Sequence, residues 1–275
     1  MNITFIGGGN MASALIGGLL DKRFCLPEAV RAVEVLPEAR ARLERAYRIR
    51  CYAETRAAWA DRAGDIVVFA VKPQQMERAA RDSGLAADAN LVISIAAGIP
   101  LGALSRWLGG HTRLVRAMPN TPALIGRGVT GLYPFGTQVG ERDRSDAAQI
   151  LGAVGTTVWL EHEAQLDAVT AVSGSGPAYV FYFIEALEQA AADLGLPAEV
   201  GRQLALQTFT GAAQLAAAGA DPVAVLRARV TSKGGTTEAA LKCMAEDRVK
   251  EAIVRAVRAA AERSHELGDE LGKAG

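Results

Sequence analysis

The sequence predicts an α/β fold in which a doubly wound parallel sheet is followed by an all-helical domain. Three observations carry this. The chain opens on a short apolar strand that runs straight into Gly7-Gly8-Gly9 and then into helix-forming residues. Apolar runs of strand length alternate with helical stretches as far as Leu160, the pattern of a parallel sheet covered on both faces. From about Glu163 onward only helical periodicity remains. The expected domains are therefore residues 1–162 and 163–275.

Taken in order, Asn2–Ile6 is the first strand and about Asn10–Leu20 the first helix. Between them the glycines read as G-x-G-x-x-A, the fingerprint of a Rossmann-type dinucleotide site. Gly7 turns the chain off the strand, Gly9 leaves room for a pyrophosphate, and Ala12 lets helix and strand pack closely. The helix N-terminus offers free N–H groups to the phosphates. A glycine-rich structural turn is the alternative. Val30–Val35 is the second strand, and Pro37 opens a helix to about Ala46. Asp65–Val71 is a continuous apolar strand of the buried parallel type. It ends at Lys72-Pro73, before another helix. Leu91–Ile95 is a strand ending at Ala96-Ala97-Gly98, Leu101–Leu108 a short helix, and Arg113–Met118 a strand stopped by Pro119. Val129–Tyr133 and Thr156–Leu160 read as strands around a helix from Arg142 to Ala153.

In the helical part, Pro177–Leu194 carries Val180, Phe183, Ile184, Leu187, Ala191 and Leu194 at core spacing. Tyr179, Phe181 and Tyr182 make its first half apolar nearly all round, so it must be covered on several sides. Further helices start at Leu196-Pro197 and at Asp221-Pro222, with Asp221 as the expected N-cap. The last two cover about Thr237–Ala245 and Asp247–Leu267.

Composition narrows the function. Thirty basic and thirty acidic residues cancel, so nothing points to nucleic acid or an anionic membrane. Apolar runs stop well short of a membrane span. The N-terminus enters a strand at once, without a secretory signal. Cys25, Cys51 and Cys243 are scattered, as are His111, His162 and His265. Neither set has metal-ligand spacing, so no metal is expected, and reduced thiols fit a cytoplasmic protein.

Ligands of doubly wound sheets bind beyond the carboxyl ends of the strands. That makes Ala70-Val71-Lys72-Pro73 and Ala96-Ala97-Gly98 candidates, with ordinary loop chemistry as the alternative. Glu34 stands where an acid accepts hydrogen bonds from the adenosine ribose, or is an exposed strand-end glutamate. Arg40 and Arg42 either face a 2′-phosphate or lie on the exposed helix face. Met118-Pro119-Asn120-Thr121-Pro122 is a stiff loop carrying one amide and one hydroxyl; Asn120 either makes a polar contact or bonds its own turn. In Thr231–Thr237, two glycines and two threonines open a helix, which suits either a carboxylate or a plain N-cap. Ser173–Pro177 is either a close approach or a tight helix entry.

Three stretches together, Arg116–Pro122, Val172–Tyr179 and Thr231–Thr237, taken with the glycine loop and Ala70–Pro73, resemble the pyrroline-5-carboxylate reductases from Ile3 to about Leu267. The resemblance implies hydride transfer from NADPH or NADH to the C=N bond of 1-pyrroline-5-carboxylate, giving L-proline in the last step of its biosynthesis. It implies a Rossmann domain and a helical domain for substrate binding and homodimer formation, with dimers stacked into decamers in some members. It assigns Gly7, Gly8, Gly9, Asn10, Met11, Ala12, Ala70, Val71, Lys72, Pro73, Ala96, Ala97 and Gly98 to the cofactor, with Asn120 near the nicotinamide. Ser232, Gly234, Gly235, Thr236 and Thr237 would take the substrate carboxylate on backbone amides, the Thr237 hydroxyl would meet the imine nitrogen, and Glu163 would lie near the substrate. A protonated cyclic imine is already electrophilic and needs positioning more than a strong enzymic acid. Two departures stand out: Glu34-Val35-Leu36 where small or basic residues are common, which leans the cofactor to NADH, and Lys233 where proline is common.

Two rival readings remain. A β-hydroxyacid dehydrogenase would place a lysine and an asparagine near Val180 and Ile184, which are apolar here. A cofactor-binding regulator would not need the complete motifs of the second domain.

Overall fold

The computed structural model describes residues 1–61, 65–85 and 91–273. Among these residues, eight strands form one sheet, in the order β3-β2-β1-β4-β5-β6-β7-β8. They are β1 (Ile3–Ile6), β2 (Val30–Val33), β3 (Arg50–Tyr52), β4 (Ile66–Phe69), β5 (Leu91–Ser94), β6 (Leu114–Met118), β7 (Gly128–Pro134) and β8 (Gly155–Trp159). Every neighbouring pair is parallel except β6 and β7, where Arg116 faces Tyr133 in antiparallel register. The register sets Ile6 level with Val33 and with Phe69, and Phe69 level with Ser94. The carboxyl ends of four strands therefore form one edge, and the chain leaves β1 and β4 in opposite directions there.

Between the strands lie α1 (Asn10–Asp21), α2 (Pro37–Tyr47), α3 (Thr55–Asp61), α4 (Met76–Arg81), α5 (Leu101–Trp107) and α6 (Glu141–Gly152). Side chains alternate between the two faces of a strand, and the core divides accordingly. Ile3, Phe5, Ile66, Val68 and Ile93 pack with Leu15, Ile16 and Leu19 of α1 and Ile150 of α6. Ile6, Val67, Phe69 and Val92 pack with Met76, Leu101, Leu104 and Trp107 on the other side. Strands buried on both faces explain the unbroken apolar runs. Each fully buried Leu or Ile of α1 contributes roughly 1.5–3 kcal/mol relative to exposure.

The helical part comprises α7 (Gln165–Val169), a π-helical turn over Thr170–Gly174, α8 (Gly176–Asp193), α9 (Ala198–Ala218), α10 (Val223–Arg229), α11 (Thr236–Glu246) and α12 (Val249–Lys273). In the π turn, Ser175 N donates to Thr170 O at 2.8 Å. The described residues form two compact units, one of Met1–Ser175 with the segment from Ala260 onward, the other of Gly176–Ala259. Among the described residues no helix is long and apolar enough to cross a membrane.

The fold is the α/β sheet with helical C-terminal part that the sequence predicts. Several features differ from the sequence reading. β3, α3, α7 and the π turn are not among the expected elements. Asp221 does not cap α10: Pro222 takes the N-cap position, and the Asp221 carboxylate accepts from Arg229 instead. The apolar positions of α8 are not buried. Val180 is 42 % exposed, Phe181 60 % and Tyr182 71 %, so this chain alone does not supply their cover.

Candidate functional site

The glycine turn follows from what surrounds it. Gly7 has φ +101°, and a Cβ there would stand 2.7 Å from Ala70 O. Its N–H donates to Val33 O at 2.8 Å, which ties the turn to β2. A Cβ on Gly8 would meet Leu43 Cδ1 at 2.8 Å. Gly9 differs: no described heavy atom lies within 4 Å of its Cβ position. Gly9 is the N-cap of α1, no described side chain caps that helix, and Ala12 is fully buried against the sheet. An open backbone and uncapped first-turn amides at a helix N-terminus fit a diphosphate. Asn10 is exposed and Met11 half-buried at this opening.

Glu34 follows β2. Its Oε2 accepts from Gly8 N at 2.8 Å and its Oε1 from Leu36 N at 3.0 Å. The carboxylate is thereby fixed over the glycine turn. Arg40 and Arg42 both reach back to the same corner. Arg40 Nη1 donates to Glu34 O at 2.7 Å and Val35 O at 3.0 Å, and Arg42 Nη2 to Gly8 O at 3.3 Å. Beside them opens a cleft of about 780 Å³ lined by Gly7, Glu34, Val71, Glu54, Arg56 and Arg78, among others.

Ala70–Pro73 and Ala96–Gly98 continue this edge. Ala70 N donates to Ile6 O at 2.8 Å, and Lys72 is exposed before the short 3-10 turn Pro73–Gln75. Gly98 has φ +73°, and a Cβ there would stand 3.5 Å from Leu267 Cβ of α12. The last helix thus backs this loop. Asn120 is 8 % exposed. Its Oδ1 accepts from Val129 N at 2.9 Å and its Nδ2 donates to Ser173 O at 3.1 Å, joining the end of β6 to β7 and to the π turn. Glu163 Oε1 accepts from Arg116 Nη1 at 3.0 Å and from Leu101 N at 2.8 Å. The same turn-bearing unit therefore contains every expected cofactor residue and Glu163.

Ser232, Gly234, Gly235, Thr236 and Thr237 belong to the other unit. Gly234 has φ +73°, and a Cβ on Gly235 would stand 2.5 Å from Ser232 Oγ, so neither position accommodates a side chain easily. Gly235 is the N-cap of α11, without a side-chain cap. Gly234 N donates to Glu238 Oε2 at 2.6 Å. An internal carboxylate thus already uses one loop amide. Thr237 is half-buried and Ser232 and Thr236 are exposed. Sequence reasoning missed Glu238 and Arg116. An acid three residues after the N-cap is a readable capping signal for Glu238; no local pattern announces the pairing of Arg116 with Glu163. Among the described residues no group of His, Cys, Asp and Glu has the makings of a metal site.

What this edge of the sheet is built to hold is a dinucleotide, which puts the chain in the class of two-unit nicotinamide-nucleotide oxidoreductases. Residues 163–267 match a family model described as pyrroline-5-carboxylate reductase dimerisation, and residues 2–98 one described as NADP oxidoreductase, coenzyme F420-dependent. A pyrroline-5-carboxylate reductase of Pseudomonas aeruginosa is 45 % identical over 98 % of both chains. The solved structure of such a reductase from Coxiella burnetii superposes with a TM-score of 0.89 at 37 % identity, covering 97 % of this chain and 98 % of that one. A Plasmodium falciparum pyrroline carboxylate reductase solved with NADP bound gives 0.85 at 29 % identity, covering 98 % of each. The chain belongs to the pyrroline-5-carboxylate reductase family, NAD(P)H-dependent oxidoreductases that reduce the C=N bond of 1-pyrroline-5-carboxylate to L-proline.

Proposed function

We propose that this chain reduces 1-pyrroline-5-carboxylate with NADH as the preferred carrier, and that its two domains, residues 1–162 and 163–275, divide the work between dinucleotide and substrate. The bound nicotinamide supplies the hydride. The observation that carries the cofactor preference is the Glu34 carboxylate, held by Gly8 N and Leu36 N at the wall of the cleft. A fixed carboxylate accepts hydrogen bonds from ribose hydroxyls and repels a 2′-phosphate. Gly7–Ala12, Ala70–Pro73 and Ala96–Gly98 hold the remainder of the cofactor, with Asn120 towards the nicotinamide end.

For the substrate, the amides of Ser232–Thr237 receive the carboxylate, and the Thr237 hydroxyl hydrogen-bonds the imine nitrogen. Catalysis then rests on orientation, since the protonated imine needs no further activation. Glu163 acts near the substrate by fixing Arg116 and the start of α5. The exposed apolar residues of α8 are covered by a second copy, giving a homodimer through the C-terminal helices, with decamers as the further assembly and the cytoplasm as its place of work.

The test is oxidation of NADH and NADPH, in parallel, with 1-pyrroline-5-carboxylate. Faster turnover per unit KM with NADH supports the Glu34 reading; a preference for NADPH overturns it. Replacing Thr237 by Ala is expected to lower kcat sharply with an unchanged circular-dichroism spectrum. An unaffected rate rules out its hydrogen bond to the imine.

A further inference from the structure

The cleft beside Glu34 holds charges of both signs. Glu34, Glu54 and Asp82 are its acids, Arg56 and Arg78 its bases. A dinucleotide with a 2′-phosphate must find a cation here, and the candidates differ in what they already bind. Arg40 and Arg42, the arginines that follow β2, are engaged with backbone carbonyls of Glu34, Val35 and Gly8. Withdrawing them would release the corner that fixes Glu34. Arg78 faces Asp82 at 3.4 Å, so its charge is offset by a neighbour in the same cleft. The Arg56 side chain has no hydrogen-bond or ion-pair partner among the described residues.

The position of Arg56 follows from the sheet. β3 lies beside β2, and Glu34 N donates to Tyr52 O at 2.9 Å. The chain then continues through Ala53, Glu54 and Thr55 to Arg56, all of them lining the cleft. Arg56 thus stands on the wall that rises from the residue bonded to Glu34, with a long, exposed and unengaged guanidinium. Guanidinium is the side-chain group best matched to a phosphate.

We propose that Arg56 is the group that receives the 2′-phosphate of NADPH, so that the use of NADPH by this chain depends on Arg56 and not on the arginines after β2. The proposal rests on the reading that this cleft holds the adenosine half of the cofactor. Glu34 and Arg56 then form opposed selectors: the carboxylate favours a free ribose, and the guanidinium in the same cleft permits the phosphorylated one.

The test is calorimetric titration of the full-length protein with adenosine 2′,5′-bisphosphate and with 5′-AMP, which separates the adenosine end from hydride chemistry. Arg56→Gln is expected to weaken the bisphosphate roughly five- to tenfold, the range for an exposed charge-assisted contact, and to leave AMP within about twofold. Arg56→Lys should recover much of the loss, and the KM for NADPH should rise in Arg56→Gln while that for NADH holds. Unchanged bisphosphate binding overturns the proposal, as does an equal loss for both ligands or no bisphosphate binding by the native protein. Glu34→Gln, run alongside, is expected to strengthen the bisphosphate. If it does not while Arg56→Gln still discriminates, Glu34 loses its role and Arg56 keeps its own.

Discussion

Glu163→Ala should destabilise the sheet unit by about 3 kcal/mol, and the figure follows from two bonds. The Arg116 side chain is 9 % exposed and Glu163 27 %. Removing the carboxylate from a buried pair costs about 3–5 kcal/mol, because the remaining charge is left without its partner. Partial exposure of Glu163 lets water reach the site and lowers this to roughly 2–3 kcal/mol. Leu101 N loses the same acceptor, at about 1 kcal/mol. The two losses share one oxygen and do not add fully. The assay is urea unfolding at fixed protein concentration, with hydrogen exchange at the Leu101 amide as a local probe. The double variant Glu163→Leu with Arg116→Met removes both charges and should lose less than Glu163→Ala alone. A loss below about 1 kcal/mol, with Leu101 protection unchanged, would show that the pair does not hold this corner of the sheet.

Gly7→Ala places a methyl group 2.7 Å from Ala70 O at φ +101°. Beyond a strain of about 1–3 kcal/mol, it should displace the Ala70–Pro73 loop and weaken NADH binding at least tenfold by fluorescence titration; native affinity would contradict this. Phe181→Asp puts a charge on the exposed apolar face of α8, and light scattering coupled to gel filtration should show a smaller species than native. The Cys51 thiol is pushed up to about 12, chiefly by burial and then by the charge of Glu44. The folded protein keeps this proton where the unfolded chain has released it. Stability is therefore retained below the ordinary value of 9.0 and falls as pH rises from there towards about 12. Iodoacetamide at pH 8 should label the exposed Cys243 well before Cys51; equal rates would deny the shift.

Much of the sheet was legible because buried parallel strands are continuous apolar runs and glycines mark where they end. β3 escaped notice because Arg50-Cys51-Tyr52 is three residues long and at most half-buried, so it carries neither an apolar run nor a full alternation. Its place is set by pairing with β2, a fact of tertiary structure. Asp221 misled because an acid before a helix usually caps it, whereas Pro222 displaced it by one position and Arg229 took its carboxylate. At the cofactor edge, the motif located the glycines but not the cause of each. Gly7 is required by the carbonyl of Ala70, the residue just after β4, and Gly9 by nothing among the described residues. Asn120 reads from the sequence either as a polar contact or as bonding its own turn; its bonds go instead to Val129 N and Ser173 O, both remote in sequence, which no local pattern announces.

The seating of Gly98 against Leu267 and Gly268 has a consequence for how the protein is made. Those contacts lie about 170 residues apart along the chain. At a synthesis rate of roughly 5–20 residues per second, the Ala96–Gly98 loop emerges from the ribosome some 10–30 s before the helix that supports it. A nascent chain can assemble its sheet early, yet the Ala96–Gly98 loop stays unsupported until α12 has been made. Synthesis of α12, and not closure of the sheet, is then the event that finishes this edge of the structure.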